Sequence, residues 1–190
     1  MPSTAVSRDT RWLFGLCAAR VGASVMYMAY PTVLSVVQQE WGLSATAAGS
    51  ISSGFQLATA LSLMVLSLLA DRLGARAVFV WSGAAAAIVS FLLPILARGY
   101  VSALLLFAIL AVSLSGTYTP GLMLIAARFE GGRRGWAIGW FLAASSLGYA
   151  LALLAGGVVV SLAGWRAAVF TLAAGPVICA LLAAWILKGT

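Results

Sequence analysis

The sequence predicts an all-α membrane protein with six transmembrane helices, and three observations carry that prediction. Of its 190 residues, 63% are hydrophobic and only 8% charged, whereas a water-soluble domain holds roughly a quarter of charged residues. The apolar residues fall into six runs, each near or above the ~20 residues that a helix needs to cross a hydrocarbon core. None shows the alternation of a transmembrane barrel strand, about ten residues long. Lipid offers no hydrogen-bond partner to an open backbone, so helix is the form left.

The elements follow from the breaks between runs. Residues 1–11 form a polar arm carrying Arg8 and Arg11, and 12–188 form the helical bundle. Span 1 covers 12–37, and the connection through Gln38, Glu40 and Gly42 holds no base. The first apolar run, about 26 residues, exceeds the 7–15 of a signal-peptide core and is expected to be retained. Span 2 covers 44–69 and ends in the charge-dense stretch from Ser67 to Arg76. Span 3 (77–97) ends at Arg98-Gly99, and span 4 (101–127) at Arg128, followed by Glu130, Arg133 and Arg134. Span 5 (136–162) and span 6 (167–187) flank Gly164-Trp165-Arg166, and Lys188 closes the chain's basic set. Spans 3 and 6 are almost wholly apolar, as lipid-facing helices are.

Charge sets orientation and excludes function classes. The net charge of +7 comes from bases scattered singly between apolar runs, which is not a nucleic-acid surface. Arg8, Arg11, Arg72, Arg76, Arg128, Arg133, Arg134 and Lys188 fall on one side of the alternating spans, against Arg98 and Arg166 on the other. That bias places both termini in the cytoplasm of a plasma membrane, a bacterial inner membrane. There is no histidine, hence no His-dependent nucleophile and no zinc or haem site of the common kinds. Asp9, Glu40, Asp71 and Glu130 all lie in connections or at helix ends; no enzyme and no cofactor is expected. If protons are coupled, the acid is Asp71, Glu40 or a residue on another chain. Cys17 and Cys179 sit inside apolar runs and read as buried thiols rather than a disulfide.

An ungapped offset of 90 residues matches Glu40 with Glu130, Gly42 with Gly132, Gly49 with Gly139, Gly74 with Gly164 and Arg76 with Arg166. Three helices separate the partners, so they fall on opposite sides of the membrane. An inverted-topology repeat requires that. The units are about 12–97 and 101–188. Polar stripes are costly against lipid, so they are expected to face the bundle or a water-filled cavity, and any single Ser or Thr among them reads first as a bridge between helices. Arg20, Ser24, Tyr27, Pro31, Ser35 and Gln38 form one stripe on span 1 at 100° per residue. Ser52, Gln56 and Thr59 do so on span 2, and Ser113, Thr117 and Pro120 on span 4. Arg20 lies about 12 Å along its helix. Two readings stand: a side chain that snorkels back to the headgroups, or a cation facing an anionic substrate or gate partner. Gly148, Ala152 and Gly156 read as a close-packing ladder.

The order Asp71-Arg72-Leu73-Gly74-Ala75-Arg76 resembles the loop between helices 2 and 3 of the major facilitator superfamily, with Ser67 and Ala75 departing from its pattern. Gly164-Trp165-Arg166 with Phe170 resembles that family's segment between helices 5 and 6. Gly139, Gly148 and Gly156-Gly157 are similar to its antiporter pattern, with Ala152-Leu153 in place of Gly-Pro. The arginine often found in helix 4 is replaced by Val112. The resemblance implies the N-terminal six-helix half of a twelve-helix secondary transporter working by alternating access. Its pathway residues would be Arg20, Ser24, Tyr27, Gln56, Thr59 and Thr117. Its cytoplasmic gate would be Asp71, Arg72, Gly74, Arg76, Arg133 and Arg134. The implied partners are the bilayer, a small-molecule substrate and a second six-helix half; the rival is a non-transporting membrane scaffold or regulatory half-module.

Overall fold

The computed structural model describes residues 3–189. Residues 1, 2 and 190 lie outside it, and with them the outermost part of the expected arm. Every regular element is helical: α1 (Ser3–Val25), a 3-10 turn (Met26–Met28), α2 (Ala29–Glu40), α3 (Ala45–Leu73), α4 (Ala75–Leu96), α5 (Tyr100–Ser115), α6 (Thr119–Arg128), α7 (Gly132–Ile186) and a last 3-10 turn (Leu187–Gly189). Five stretches among the described residues are long and apolar enough to cross a membrane: Arg8–Glu40, Ala45–Leu73, Ala75–Leu96, Tyr100–Arg128 and Gly132–Ile186.

The helix starts at Ser3, so the segment 3–11, expected as a polar arm, is itself helical and continuous with the first span. Spans 1 and 4 are also not single helices, and proline is the reason in both. A proline has no N–H for the carbonyl four residues back, and its ring crowds that carbonyl. Pro31 acts on Tyr27, and the helix tightens into 3-10 geometry at Met26–Met28. Pro120 acts on Gly116, and α5 stops at Ser115 before α6 resumes at Thr119.

Glycine sets the other ends. Gly74 (φ 89°) closes α3 with its N–H on the Ala70 carbonyl and opens α4. Gly164 (φ 82°, ψ 173°) breaks α7. Both need the left-handed region that a Cβ disfavours. Straight, the 55 residues of α7 would run about 80 Å, far beyond a core about 30 Å thick.

The contacts fold α7 into two limbs. On the first, Trp140 meets Phe14 at 5.7 Å between ring centres, Gly148 packs on Val21 and Ser24, and Gly156 packs on Thr32. This limb therefore runs parallel to α1–α2. On the second, Gly175 lies against Gly22 and Ile186 against Gly15, so this limb runs the other way. Several of these seats have no room for a side chain: a Cβ on Gly148 would come within 2.6 Å of the Ser24 Cβ and the Val21 carbonyl. Gly148, Ala152 and Gly156 are all buried, the close-packing face that their spacing predicts.

Each end of the bundle is closed by an arginine, a carboxylate and a tryptophan. At one, Arg128 Nε donates to Asp9 Oδ1 at 2.8 Å and its guanidinium lies 4.8 Å from the Trp12 ring. At the other, Glu40 accepts from Trp165 Nε1 at 2.6 Å and from Arg166 Nη1 at 3.0 Å.

Candidate functional site

The two broken helices meet at Arg20. Its side chain is 1% exposed and turns into the bundle rather than along the helix toward the headgroups. Nε donates to Ser145 Oγ at 2.7 Å and Nη1 to Thr117 Oγ1 at 3.1 Å. Both hydroxyls spend their own proton on backbone: Thr117 on Leu114 O at 2.7 Å, Ser145 on Phe141 O at 3.3 Å. Each therefore offers Arg20 only lone pairs. The guanidinium carbon lies 4.9 Å from the ring centre of Tyr118 and 5.6 Å from those of Tyr27 and Phe141. Tyr27 comes from the first break and Thr117 and Tyr118 from the second, so the backbone irregularities aim these side chains at the cation.

No carboxylate completes the set. Among the described residues the ion pairs are Arg128–Asp9 and Arg166–Glu40, and the remaining acids, Asp71 and Glu130, are exposed. A buried ion without an opposite charge is disfavoured by several kcal/mol. Cation–π contacts return up to about 2 kcal/mol when desolvated, and hydrogen bonds from a charged group about 1.5–3 kcal/mol each. The arginine is held in place, yet its charge is not neutralised.

Arg20 borders a cavity of about 490 Å³, shared with Tyr27, Pro31, Phe55, Gln56, Thr59, Tyr118 and Tyr149 among others. That volume is within the range of small-ligand sites. Gln56 and Pro31 are exposed, so the cavity opens on the α2–α3 side. Of the residues expected on the pathway, Arg20, Tyr27, Gln56 and Thr59 come together here. Thr117 stands behind the cavity as a hydrogen-bond partner of Arg20. Ser24 lies apart: it is fully buried, packed on Gly148, with no hydrogen-bond partner for its hydroxyl among the described residues. Ser24 is one turn from Arg20 on the same regular helix, and the Gly148 seat on α7 covers it.

Residues that the sequence reading passed over complete the site. Ser145, Phe141 and Tyr149 share a face of α7 at four-residue spacing, the signal that could have found them. Tyr118 had no periodic signal, because it sits in the helix break.

The six gate residues do not join this cavity. Asp71, Arg72, Gly74 and Arg76 cluster at the exposed α3–α4 corner, and Arg133 and Arg134 are exposed at the start of α7. Arg133 lies over Phe129 at 5.7 Å. Asp71 makes no hydrogen bond or ion pair among the described residues.

Residues 13–190 match the family model described as Major Facilitator Superfamily. The chain belongs to the major facilitator superfamily. It is also similar to the voltage-gated purine nucleotide uniporter SLC17A9 of Mus musculus, at 27% identity over 175 residues. That match covers 86% of this chain and 39% of the mouse protein, so the chain spans about two fifths of the length of this curated relative. Membership in this superfamily and the five long apolar helices make it an integral membrane protein of a transporter family.

Proposed function

We propose that this chain is the N-terminal six-helix half of a secondary transporter that moves a small organic anion by alternating access. The observation carrying the proposal is Arg20, buried beside a 490 Å³ cavity with no carboxylate partner. An incoming anion would supply the missing charge. The mouse relative is named for a purine nucleotide, itself an anion, which supports the reading.

The count of six rests on the two limbs of α7 each crossing once. Gly74 and Gly164, matched by the 90-residue offset, share left-handed φ values of 89° and 82°, which supports a 3+3 inverted repeat. The α3 span is open: 17% of its most apolar stretch is buried, against 61% for α1–α2. A second six-helix half lying on that side would form the other wall of the cavity. Asp71 ends α3, where a negative charge opposes the helix dipole. Its role in this reading is to meet the positive end of a helix in the second half, with Arg72, Arg133 and Arg134 completing a cytoplasmic gate; Arg76, expected with them, lines a separate groove between α4 and α7.

The test is uptake by the full transporter in proteoliposomes, comparing organic anions with cationic and neutral solutes of similar size. Anions alone are expected to enter; transport of only cations or neutral solutes would sink the anion site. Orientation is tested separately by single cysteines at Gly99 and Gly132, where a Cβ meets nothing within 4 Å. Gly99→Cys should label from outside and Gly132→Cys from inside. The opposite labelling would overturn the cytoplasmic gate.

A further inference from the structure

A second cavity, of about 450 Å³, lies between the first turns of α4 and the last turn of α7. Its lining shares no residue with the Arg20 site. Arg76 and Lys188 stand on its wall, Trp81 flanks it, and Leu73, Val80 and Leu187 supply apolar surface. No acidic residue lines it among the described residues. The helices that form it turn apolar side chains outward: Trp81 is 76% exposed and Trp185 75%, with Ile88 and Leu181 also exposed. In a bilayer these surfaces face acyl chains, so the groove opens toward lipid.

The groove has two chemically distinct ends. Arg76 precedes Trp81 by five residues, about 7.5 Å of helix rise. Tryptophan is enriched at the level of the lipid headgroups, where its ring is in the apolar region and its N–H near water. Arg76 then lies further out, at the depth of phosphate. Lys188 is beside it on the facing helix end, exposed and in no ion pair among the described residues. The N-terminus of α4 adds to the field, since Gly74 brings no side chain to cap its first N–H groups. Two cations above an apolar slot flanked by indole match one amphiphile: a phosphate head with hydrocarbon tails.

We infer that this groove binds an anionic glycerophospholipid, with its phosphate between Arg76 and Lys188 and an acyl chain lying past Val80 and Trp81. A zwitterionic lipid carries its own cation next to the phosphate and is discriminated against. Each basic residue near an anionic surface is worth about fivefold, so the pair favours the anionic lipid roughly 30-fold. Which leaflet supplies the lipid follows from the orientation proposed above; the binding itself does not depend on it.

The experiment is native mass spectrometry of the transporter released from detergent containing equal amounts of phosphatidylglycerol and phosphatidylcholine with identical acyl chains. Detergent has no leaflets, so this readout is independent of orientation and of transport. The expected result is retained phosphatidylglycerol, lost in the Arg76→Gln/Lys188→Gln double variant. Lys188→Gln alone, at an exposed chain end, should cut the preference about fivefold with unchanged helix content by circular dichroism. Arg166→Gln at the opposite end should leave it intact. Equal retention of the two lipids by wild type would overturn the site. So would a preference that survives in the double variant, or release of the lipid by inorganic phosphate alone, which would mark a soluble anion as the ligand.

Discussion

Arg128 and Arg166 close the two ends of the bundle in the same way. Each lies over a tryptophan, Trp12 at 4.8 Å and Trp165 at 4.2 Å, and each has a carboxylate, Asp9 at 2.8 Å and Glu40 at 3.0 Å. Arg20, midway between them, also has aromatic faces and hydrogen bonds, yet it has no acid and almost no water. At the ends, solvent and a carboxylate share the charge, so these arginines tie helices together. In the middle, the charge is oriented by Ser145 and Thr117 and left over. A protein that needed only a helix tie at that depth would be more stable with an apolar side chain, because replacing a buried charge with well-packed hydrophobics is often neutral or stabilising.

The largest expected effect therefore comes from Arg20. Arg20→Ala should weaken binding of the transported anion by about 2–5 kcal/mol, the range for removing one partner of a buried charge pair. Arg20→Lys should fall between, since a point charge replaces a planar fork. Arg20→Met sharpens the contrast: it should abolish transport while raising the thermal midpoint in detergent. A lowered midpoint with anion uptake intact would make Arg20 a structural tie like the other two.

Asp71 is the converse case, an exposed acid with no base partner among the described residues. Asp71→Asn should leave thermal stability within about 0.5 kcal/mol. In the complete transporter it should slow turnover, because losing a partly buried dipole contact costs up to about 2 kcal/mol and tilts two access states several-fold. Accessibility of a cysteine on the gate side reads the shift. Unchanged accessibility and flux would leave Asp71 an ordinary solvated acid.

Ser145→Ala removes one orienting hydrogen bond from Arg20. It should raise KM for the anion by an amount equivalent to about 1.5 kcal/mol, with kcat nearly unchanged. An equal loss in kcat would assign Ser145 to the conformational step. The smallest effects belong to the end ties. Glu40→Gln should cost less than about 1 kcal/mol in unfolding experiments, as exposed pairs do, since its pair is 40–49% exposed. Asp9→Asn should cost somewhat more, because its pair is 23–29% exposed. The reverse order would mean that the tryptophan contact, not solvent, sets the strength of the tie.

Much of this fold is legible in the chain. The apolar runs locate the spans because a backbone in lipid must satisfy its hydrogen bonds within its own segment. Gly74 and Gly164 mark the corners between spans because few other residues tolerate their φ. The prolines could have located the two helix breaks, since the effect of Pro31 on Tyr27 and of Pro120 on Gly116 is local; reading each run as one helix missed them. A stripe calculated at 100° per residue then misplaced Ser24, because Gly148 of α7 packs directly over it and closes it off from the cavity.

The partners of Arg20 were beyond any local rule. Sequence alone established that a cation lies about 12 Å into the first apolar run and that no acid sits mid-span to meet it. Ser145 and Thr117 are 125 and 97 residues away along the chain, brought to Arg20 by glycine seats on α7 and by the break before α6. Which arginine receives a carboxylate and which does not is decided where distant helices pack. Span and side are properties of one segment in lipid, whereas charge balance at a buried point belongs to all the segments that surround it.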